Sequence, residues 1–285
     1  MSRSTIVLPT ALAMLAFAGN SILCRLALKT TAIDPASFTS VRIISAALTL
    51  SILLRLSGKA VLSAGNWKSA FALFIYAAGF SLAYVHLTAG TGALLLFGAV
   101  QLSMISISLW RGEKVSTLQI IGLVLAFGGL LTLVFPGLAA PPISSSVLMI
   151  GAGVAWGVYS LRGRGAGDAT AITAGNFMRT VPMTVLFSLL FYTQFRPYLL
   201  GVIYAVLSGA ITSGVGYAIW YKALPGLKPL EASVVQLSVP IIAAFGGIVF
   251  LSEALSVRLV LASVAVLGGI LLVTVEKSRA VRVKN

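Results

Sequence analysis

Acidic residues are scarce in this 285-residue chain, which carries six Asp and Glu against twenty Lys and Arg. Only 9% of the residues are charged, whereas a soluble globular domain carries about 25%. The single cysteine, Cys24, excludes an intrachain disulfide and a cysteine-cluster metal site. The single histidine, His86, has no second histidine and no nearby cysteine with which to hold a metal. We therefore expect neither a metal nor a cofactor.

Hydrophobic residues make up 59% of the chain and its mean hydropathy is +1.04, which indicates an integral membrane protein. A net charge of +14 could instead indicate binding to nucleic acid. The basic residues, however, lie between apolar segments and at the C-terminus, as they do in the cytoplasmic loops of membrane proteins. We expect membrane lipid and a small-molecule substrate as partners, and no nucleic acid.

Apolar runs of about 20 residues, the length that crosses a bilayer as a helix, recur along the whole chain. Ten such runs lie between turn and charge signals, and no soluble domain fits between them. The sequence therefore predicts an all-α membrane protein with ten transmembrane helices. The predicted spans are Ile6–Leu28, Pro35–Leu54, Trp67–Thr88, Gly90–Trp110, Ser116–Phe135, Ile143–Leu161, Thr170–Phe191, Tyr198–Leu224, Pro229–Leu251 and Ser256–Val275.

Lysines and arginines are distributed unequally between the two sides of the membrane that these spans define. Fourteen lie on the side of the N-terminus and four on the opposite side. Because cytoplasmic loops carry the excess of basic residues, we expect both termini in the cytoplasm, which agrees with an even number of spans.

One stretch of the chain occurs twice. Glu113–Leu131 and Glu253–Leu271 each read as an acidic helix start, a serine near the N-cap and an apolar helix with a Gly-Gly pair. Such glycines let another helix approach closely in a membrane. Because each copy ends a set of five spans, the two sets enter the membrane from opposite sides, which predicts an inverted repeat around a central cavity. The five-helix units are residues 1–137 and 138–285, and the glycine pairs are Gly128, Gly129 and Gly268, Gly269.

Two arginines lie inside predicted spans at equivalent places, Arg42 in helix two and Arg179 in helix seven. A charge in a membrane helix faces the bundle interior or water. Either arginine could bind a substrate carboxylate, or it could anchor the structure by bonding backbone carbonyls or by reaching the interface. Since symmetry places one near each face of the membrane, we favour the structural role. In helix nine, Pro240 is the candidate for a bending element.

These features resemble the ten-helix EamA-type branch of the drug/metabolite transporter superfamily, most of all its bacterial exporters of aromatic and other neutral amino acids. The resemblance is carried by Gly19 and Trp156-Gly157, by the two in-span arginines, and by the two helices with an acidic start and a Gly-Gly pair. It implies helices one, three, four, six, eight and nine around a central cavity, with helices five and ten at the periphery. It also implies a bacterial inner membrane location.

Polar and aromatic side chains accompany one another near the midplane of the predicted bundle, as in Tyr76, Phe80 and Tyr84 at four-residue spacing. A mostly apolar pocket with a few polar groups is typical of a small-molecule site, although each ring alone could equally pack in the core or at the lipid interface. The predicted substrate-binding residues are Phe17, Asn20, Phe80, Tyr84, His86, Gln101, Trp156, Tyr159, Tyr217, Trp220 and Gln236.

All six carboxylates lie at the ends of predicted spans or in loops, so the bundle interior has no acid to meet a bulky cation. No lysine cluster is present to meet a phosphate. We therefore expect an exporter of small neutral or zwitterionic solutes, chiefly aromatic and other apolar amino acids, that works by alternating access as a monomer. The main rival is an exporter of drug-like or nucleoside-like metabolites with the same fold.

Two further alternatives remain, a channel and a membrane-embedded enzyme. A channel is compatible with the sequence, and saturable counterflow would separate it from a carrier. We do not expect an enzyme or catalytic residues, because the chain has no HExxH or GxSxG motif. Transport could be facilitative, or coupled to protons through His86, the one obvious group that titrates near neutral pH.

Overall fold

Helices dominate the structure, a computed structural model that describes residues 3–60, 64–110, 116–137, 140–163, 167–194, 196, 198–227 and 229–282. No β-strand occurs within those ranges, and the prediction of an all-α membrane protein is confirmed. Glu113, a predicted helix start, lies outside them. The helices are α1 (Arg3–Thr30), α2 (Pro35–Leu56), α3 (Trp67–Tyr84), α4 (Ala89–Trp110), α5 (Thr117–Val134), α6 (Ile143–Gly163), α7 (Ala169–Leu190), α8 (Leu199–Leu207), α9 (Gly216–Ala223), α10 (Pro229–Gln236), α11 (Ser238–Leu251) and α12 (Val257–Arg282).

Side-chain caps explain where several helices begin. Asp34 accepts a hydrogen bond from Ser37 N at 2.8 Å, which satisfies a free N–H in the first turn of α2. Asn66 caps α3 in the same way. At the start of α5, Ser116 and Gln119 exchange hydrogen bonds in a capping box. These local signals agree with the predicted starts of these spans to within one residue.

Within the described ranges, eight helical segments are long and apolar enough to cross a membrane, which indicates a multi-pass membrane protein. The predicted third and seventh spans form helices α3 and α7, but neither is among the eight. α3 has 18 residues and ends at Tyr84 rather than at Thr88. α7 buries Asn176 and several threonines against other helices. Polar residues, among them the exposed Lys68 in the first turn of α3, lower the hydropathy of both helices.

The predicted eighth and ninth helices are each interrupted. A π-helical segment, Ser208–Val215, separates α8 from α9, and its Gly209 packs so closely on the Arg42 carbonyl that a Cβ atom has no room. The ninth helix breaks at Leu237, between α10 and α11. Pro240 lies three residues beyond that break and has no N–H to donate to the Gln236 carbonyl, which accounts for the interruption.

Helix packing follows one plan in both halves of the chain. α1 packs against α8, α9 and α11, and α6 packs against α3 and α4. α2 packs against α7, and α5 packs along α12. The first helix of each half therefore contacts the third and fourth helical regions of the other half.

The Gly-Gly pairs show how α5 and α12 meet. A methyl group on Gly129 would lie 2.8 Å from Ala265 Cβ, and one on Gly269 would lie 2.7 Å from a backbone nitrogen of α5. Among the described residues, nothing lies within 4 Å of a methyl group on Gly128 or Gly268. One glycine of each pair therefore contacts the partner helix, and the other faces away from it.

An exposed ion pair joins the connection after α2 to the start of α7. Asp168 caps α7 and pairs with Lys59. The hydrogen bond from Lys59, together with the backbone donors, lowers the pKa of Asp168, so the carboxylate stabilises the fold above its unfolded pKa and stops doing so as pH falls through the folded value. Asparagine keeps the cap and removes the charge. Because Asp168 is 36% exposed, we expect Asp168→Asn to lower the free energy of unfolding by less than about 1 kcal/mol at neutral pH.

Thermal unfolding in detergent at several pH values checks that prediction. The difference between Asp168→Asn and the parent should shrink below about pH 4, where the free carboxyl group titrates. A difference that stays constant from neutral to acidic pH would contradict it.

Candidate functional site

Aromatic side chains from both halves of the chain form one continuous cluster. Trp156 of α6 connects the halves, since its ring centre lies 4.7 Å from that of Tyr76 in α3 and 5.4 Å from that of Tyr217 in α9. Neighbouring rings pack mostly in tilted or edge-to-face arrangements, which aromatic pairs prefer. We call this set the ring cluster. Its members are Phe17, Tyr76, Phe80, Tyr84, Trp156, Tyr159, Phe177, Tyr217, Trp220 and Tyr221.

Asn20 of α1 joins the ring cluster to polar atoms of three other helical segments. Its Nδ2 donates to the Tyr76 hydroxyl at 3.2 Å, and its Oδ1 accepts a hydrogen bond from the Ser208 hydroxyl at 2.6 Å. Nη1 of Arg42 donates to the same oxygen at 3.4 Å. Because Asn20 is buried, these bonds hold α1, α2, α3 and the π-helical segment around one amide group.

Arg42 is the largest fully buried side chain in the described ranges, with 1% of its surface exposed. Its guanidinium carbon lies 4.8 Å from the Phe80 ring centre and 5.6 Å from that of Tyr76, within cation–π range. Its hydrogen bonds to Asn20 and to the Ala77 carbonyl are long, at 3.4 and 3.3 Å. Its Nε has no partner and no carboxylate pairs with it among the described residues. The guanidinium is therefore short of hydrogen-bond acceptors.

The sequence placed Arg42 inside helix two, toward one face of the membrane, and favoured a structural anchor over a substrate contact. Arg42 is the eighth residue of α2, so it lies about 10 Å along the helix from its start. At that depth α2 is surrounded by α3, α7 and the π-helical segment. The side chain is consequently held against the ring cluster and does not reach the surface of the bundle.

Arg179, the expected counterpart of Arg42, has a different environment. Its Nη1 donates to the carbonyls of Ala64 at 2.7 Å and Gly175 at 2.9 Å. The neighbouring Asn176 accepts a hydrogen bond from Asn66 N at 2.9 Å. These contacts fasten α7 to the segment that leads into α3, so Arg179 bonds backbone carbonyls as one of the two sequence-based readings describes.

Eight of the eleven predicted substrate-binding residues are Asn20 and members of the ring cluster, and the other three lie elsewhere. His86 lies exposed in the turn between α3 and α4. Gln101 is half-buried in α4, and Gln236 is half-buried at the end of α10. Neither glutamine side chain makes a hydrogen bond to any part of the chain that the structure describes.

Sequence reasoning missed Ser208, Phe177 and Tyr221. The run of small and hydroxyl residues at 208–216, inside an otherwise apolar span, is the signal that could have revealed the irregular segment that positions Ser208. Phe177 has no comparable signal, because a phenylalanine in a membrane helix is equally suited to face lipid. Tyr221 lies four residues after Tyr217, on the same helix face.

A second polar group, the Arg25–Glu253 clasp, closes one end of the ring cluster. Arg25 Nε donates to Glu253 Oε1 at 3.0 Å, and Arg25 Nη1 donates to the carbonyls of Tyr84 and Val85. Glu253 Oε2 accepts a hydrogen bond from Ala89 N at 2.8 Å, at the start of α4. The two side chains are 10% and 6% exposed. The clasp therefore ties α1 to α3, α4 and the connection between α11 and α12.

The clasp corrects the expectation that Glu253 starts its own helix. α12 begins at Val257 and is capped by Ser256, whose hydroxyl accepts a hydrogen bond from Leu259 N. Ser252 adopts a left-handed backbone conformation with φ of 52°. This turn after α11 directs the Glu253 carboxylate to α4 instead of along α12.

Comparison with known proteins agrees with this architecture. The model of the EamA-like transporter family matches residues 143–275. The uncharacterized protein PA1977 of Pseudomonas aeruginosa is 53% identical over 282 residues, which are 98% of this chain and 98% of that protein. Residues 143–275 of the chain belong to the EamA-like transporter family. This match supports membership of the drug/metabolite transporter superfamily, as the motifs indicated.

The fold of this EamA-like protein has also been seen by crystallography. A protein chain of known crystal structure superposes on it with a TM-score of 0.68 over 98% of this chain and 99% of its own. At 18% identity this likeness concerns the fold alone. The match to the EamA-like transporter family supports a membrane transporter of small solutes.

Proposed function

We propose that this EamA-like protein exports small neutral or zwitterionic solutes, chiefly aromatic and other apolar amino acids, by alternating access. The observation that carries the proposal is the ring cluster, in which rings from both halves of the chain surround Asn20 and Arg42. Apolar rings with a few fixed polar groups are how small-molecule sites are usually built. Such a site accepts an apolar side chain beside a polar head group.

The proposed architecture is ten membrane-spanning helices in two inverted five-helix units, residues 1–137 and 138–285. The packing plan supports it, because α1 contacts α8, α9 and α11 while α6 contacts α3 and α4. An approximate two-fold axis would exchange these two sets of contacts. α2 with α7 and α5 with α12 would then be pairs of equivalent helices that meet on the axis.

Two interrupted helices support alternating access. The π-helical segment supplies Ser208 to Asn20, and the break at Leu237 precedes Pro240. Discontinuous helices are common at the binding sites of transporters, where unwound backbone allows a bundle to move. Both termini lie in the cytoplasm in this proposal, since basic residues predominate on that side, and the protein works as a monomer in a bacterial inner membrane.

Uptake of labelled amino acids into liposomes that contain the purified protein tests the proposal, with and without a pH gradient. We expect saturable flux of phenylalanine and leucine in the parent protein. Trp156→Ala removes a ring that contacts Tyr76, Tyr159 and Tyr217. We expect it to lower that flux by about tenfold or more, because each aromatic contact is worth about 0.5–1.5 kcal/mol beyond its area. Trp110→Ala is the matched control, since Trp110 is 90% exposed, and its flux should equal that of the parent.

The outcomes separate the rival readings. Flux without a gradient indicates a facilitator, and flux only with a gradient indicates proton coupling. Flux of nucleosides or drug-like amines with no flux of amino acids would replace the proposed cargo with the rival one. Linear, non-saturable flux without counterflow would indicate a channel.

A further inference from the structure

Arg42 indicates which part of a solute the ring cluster recognises. A guanidinium has five N–H donors and no acceptor. In this protein it makes two long hydrogen bonds, and its Nε, which is buried, makes none. A buried charge in a membrane is costly unless it is paired, and such residues mark solute pathways. The side chain is therefore poised for an acceptor that the described part of the chain does not supply.

The ring cluster has a fixed positive charge and no fixed negative charge among the residues described. Glu253 is bound by Arg25 and by Ala89 N in the clasp. Asp34 and Asp168 cap α2 and α7. A substrate ammonium at the ring cluster would meet only neutral acceptors, such as the Asn20 amide oxygen, hydroxyl groups and ring faces.

We propose that Arg42 binds the carboxylate of the transported solute, and that the site requires this carboxylate but not an ammonium group. The inference rests on the proposed function, because it assigns one group of that solute to a residue of the same site. Nε and a neighbouring Nη of a guanidinium match the two oxygens of a carboxylate. Phe80 and Tyr76 already hold the guanidinium by their faces, and the apolar body of the solute packs on the neighbouring rings.

Access to Arg42 follows from the exposure of the rings. Phe17, Trp156 and Tyr221 are only half-buried, whereas Phe80 and Arg42 are fully buried. An apolar body therefore first meets Trp156, and the carboxylate reaches Arg42 when the helices that carry Asn20 and Ser208 separate. The ligand class is an organic monocarboxylate with an aromatic or branched apolar body, with or without an amino group.

Binding of a matched series of ligands to the purified parent protein, measured by isothermal titration calorimetry, tests this inference. The series is 3-phenylpropionate, phenylalanine, phenylalaninamide and 2-phenylethylamine. We expect both carboxylates to bind and the amide and the amine to bind at least about tenfold more weakly, since bidentate ion pairs are the strong hydrogen bonds of proteins. Equal binding of the amide or the amine, or no binding of either carboxylate, would overturn the inference.

Arginine variants give a second readout. Arg42→Gln should lose the preference for carboxylates, and Arg42→Lys should keep only part of it, because lysine has the charge without the planar fork. Arg179→Gln is the matched control and should keep the preference, since Arg179 bonds the Ala64 and Gly175 carbonyls. Should Arg42→Gln fail to fold, the ligand series on the parent still decides. Binding of 3-phenylpropionate that depends on Arg42, without amino acid flux in liposomes, would refute the cargo and leave the carboxylate site standing.

Discussion

Replacing Glu253 with glutamine is expected to release the Arg25–Glu253 clasp and to expose Cys24. Glutamine can still accept the hydrogen bond from Ala89 N, so the start of α4 keeps its cap. Arg25, however, loses its counter-charge at a place where its side chain is 10% exposed. Removal of one partner of a buried ion pair costs about 3–5 kcal/mol. Since the clasp ties α1 to α3 and α4, we expect this loss to destabilise the closed arrangement of these helices at that end of the ring cluster.

Cys24 reports this opening without any added label site. It is the single cysteine of the chain, it precedes Arg25 in α1, and it is fully buried. Because 1.4 kcal/mol is a tenfold change in an equilibrium constant, we expect Cys24 to react with a maleimide at least about 100-fold faster in Glu253→Gln than in the parent. Mass spectrometry of the protein during the labelling reaction measures the rate.

The other ion pair of the described ranges supplies the matched control. Asp168→Asn also removes a carboxylate from a basic partner, but Asp168 is 36% exposed and lies in a connection outside the ring cluster. Its labelling rate should equal that of the parent. Equal rates in Glu253→Gln and the parent, with both proteins folded, would show that the clasp does not hold this end closed.

A double substitution separates the loss of the pair from the presence of an unpaired charge. Replacement of a buried ion pair by apolar residues is often neutral, whereas removal of one partner is not. We therefore expect Arg25→Met combined with Glu253→Met to label more slowly than Glu253→Met alone. Faster labelling in the double variant would mean that the backbone bonds of Arg25 to Tyr84 and Val85 matter more than the charge pair.

Local chemistry made much of the fold predictable. Pro35 after Asp34, Asn66 before Trp67 and Ser116 before Thr117 are start signals that act within one helical turn, so the sequence contains them completely. The apolar runs likewise indicated which segments enter the membrane. The interruptions of the predicted eighth and ninth spans were only partly predictable, because the sequence shows Pro240 but has no periodic signal for the π-helical segment.

The candidate site was predictable in its residue types but not in its contacts. Eight of its members could be found because polar and aromatic side chains are conspicuous in apolar spans. The place of Arg42 could not be found, since its burial depends on how α2 is rotated against α3 and the π-helical segment. Glu253 was assigned to the start of α12 because it is close to that helix in sequence. After the left-handed turn at Ser252, its carboxylate instead accepts a hydrogen bond at the start of α4.

Adding one methyl group at Gly129 is expected to destabilise the protein, while the same change at the adjacent Gly128 should not. The new Cβ at Gly129 would lie 2.8 Å from Ala265 Cβ and 3.0 Å from Val266 N, so α5 and α12 have to move apart. Forcing extra volume into a close-packed contact costs about 1–3 kcal/mol. At Gly128 nothing described lies within 4 Å of the new atom, and alanine is the better helix former.

Thermal unfolding in detergent measures this difference, and the second glycine pair repeats it independently. Gly129→Ala should unfold at a lower temperature than the parent, whereas Gly128→Ala should unfold at the same or a slightly higher temperature. In α12 the order is the same, since a methyl group on Gly269 would meet Ala126 N at 2.7 Å and one on Gly268 meets open space. The gain in helix propensity is common to all four variants, so each within-pair difference isolates the contact between α5 and α12. Equal unfolding temperatures within both pairs would show that these helices do not pack through the second glycine of each pair.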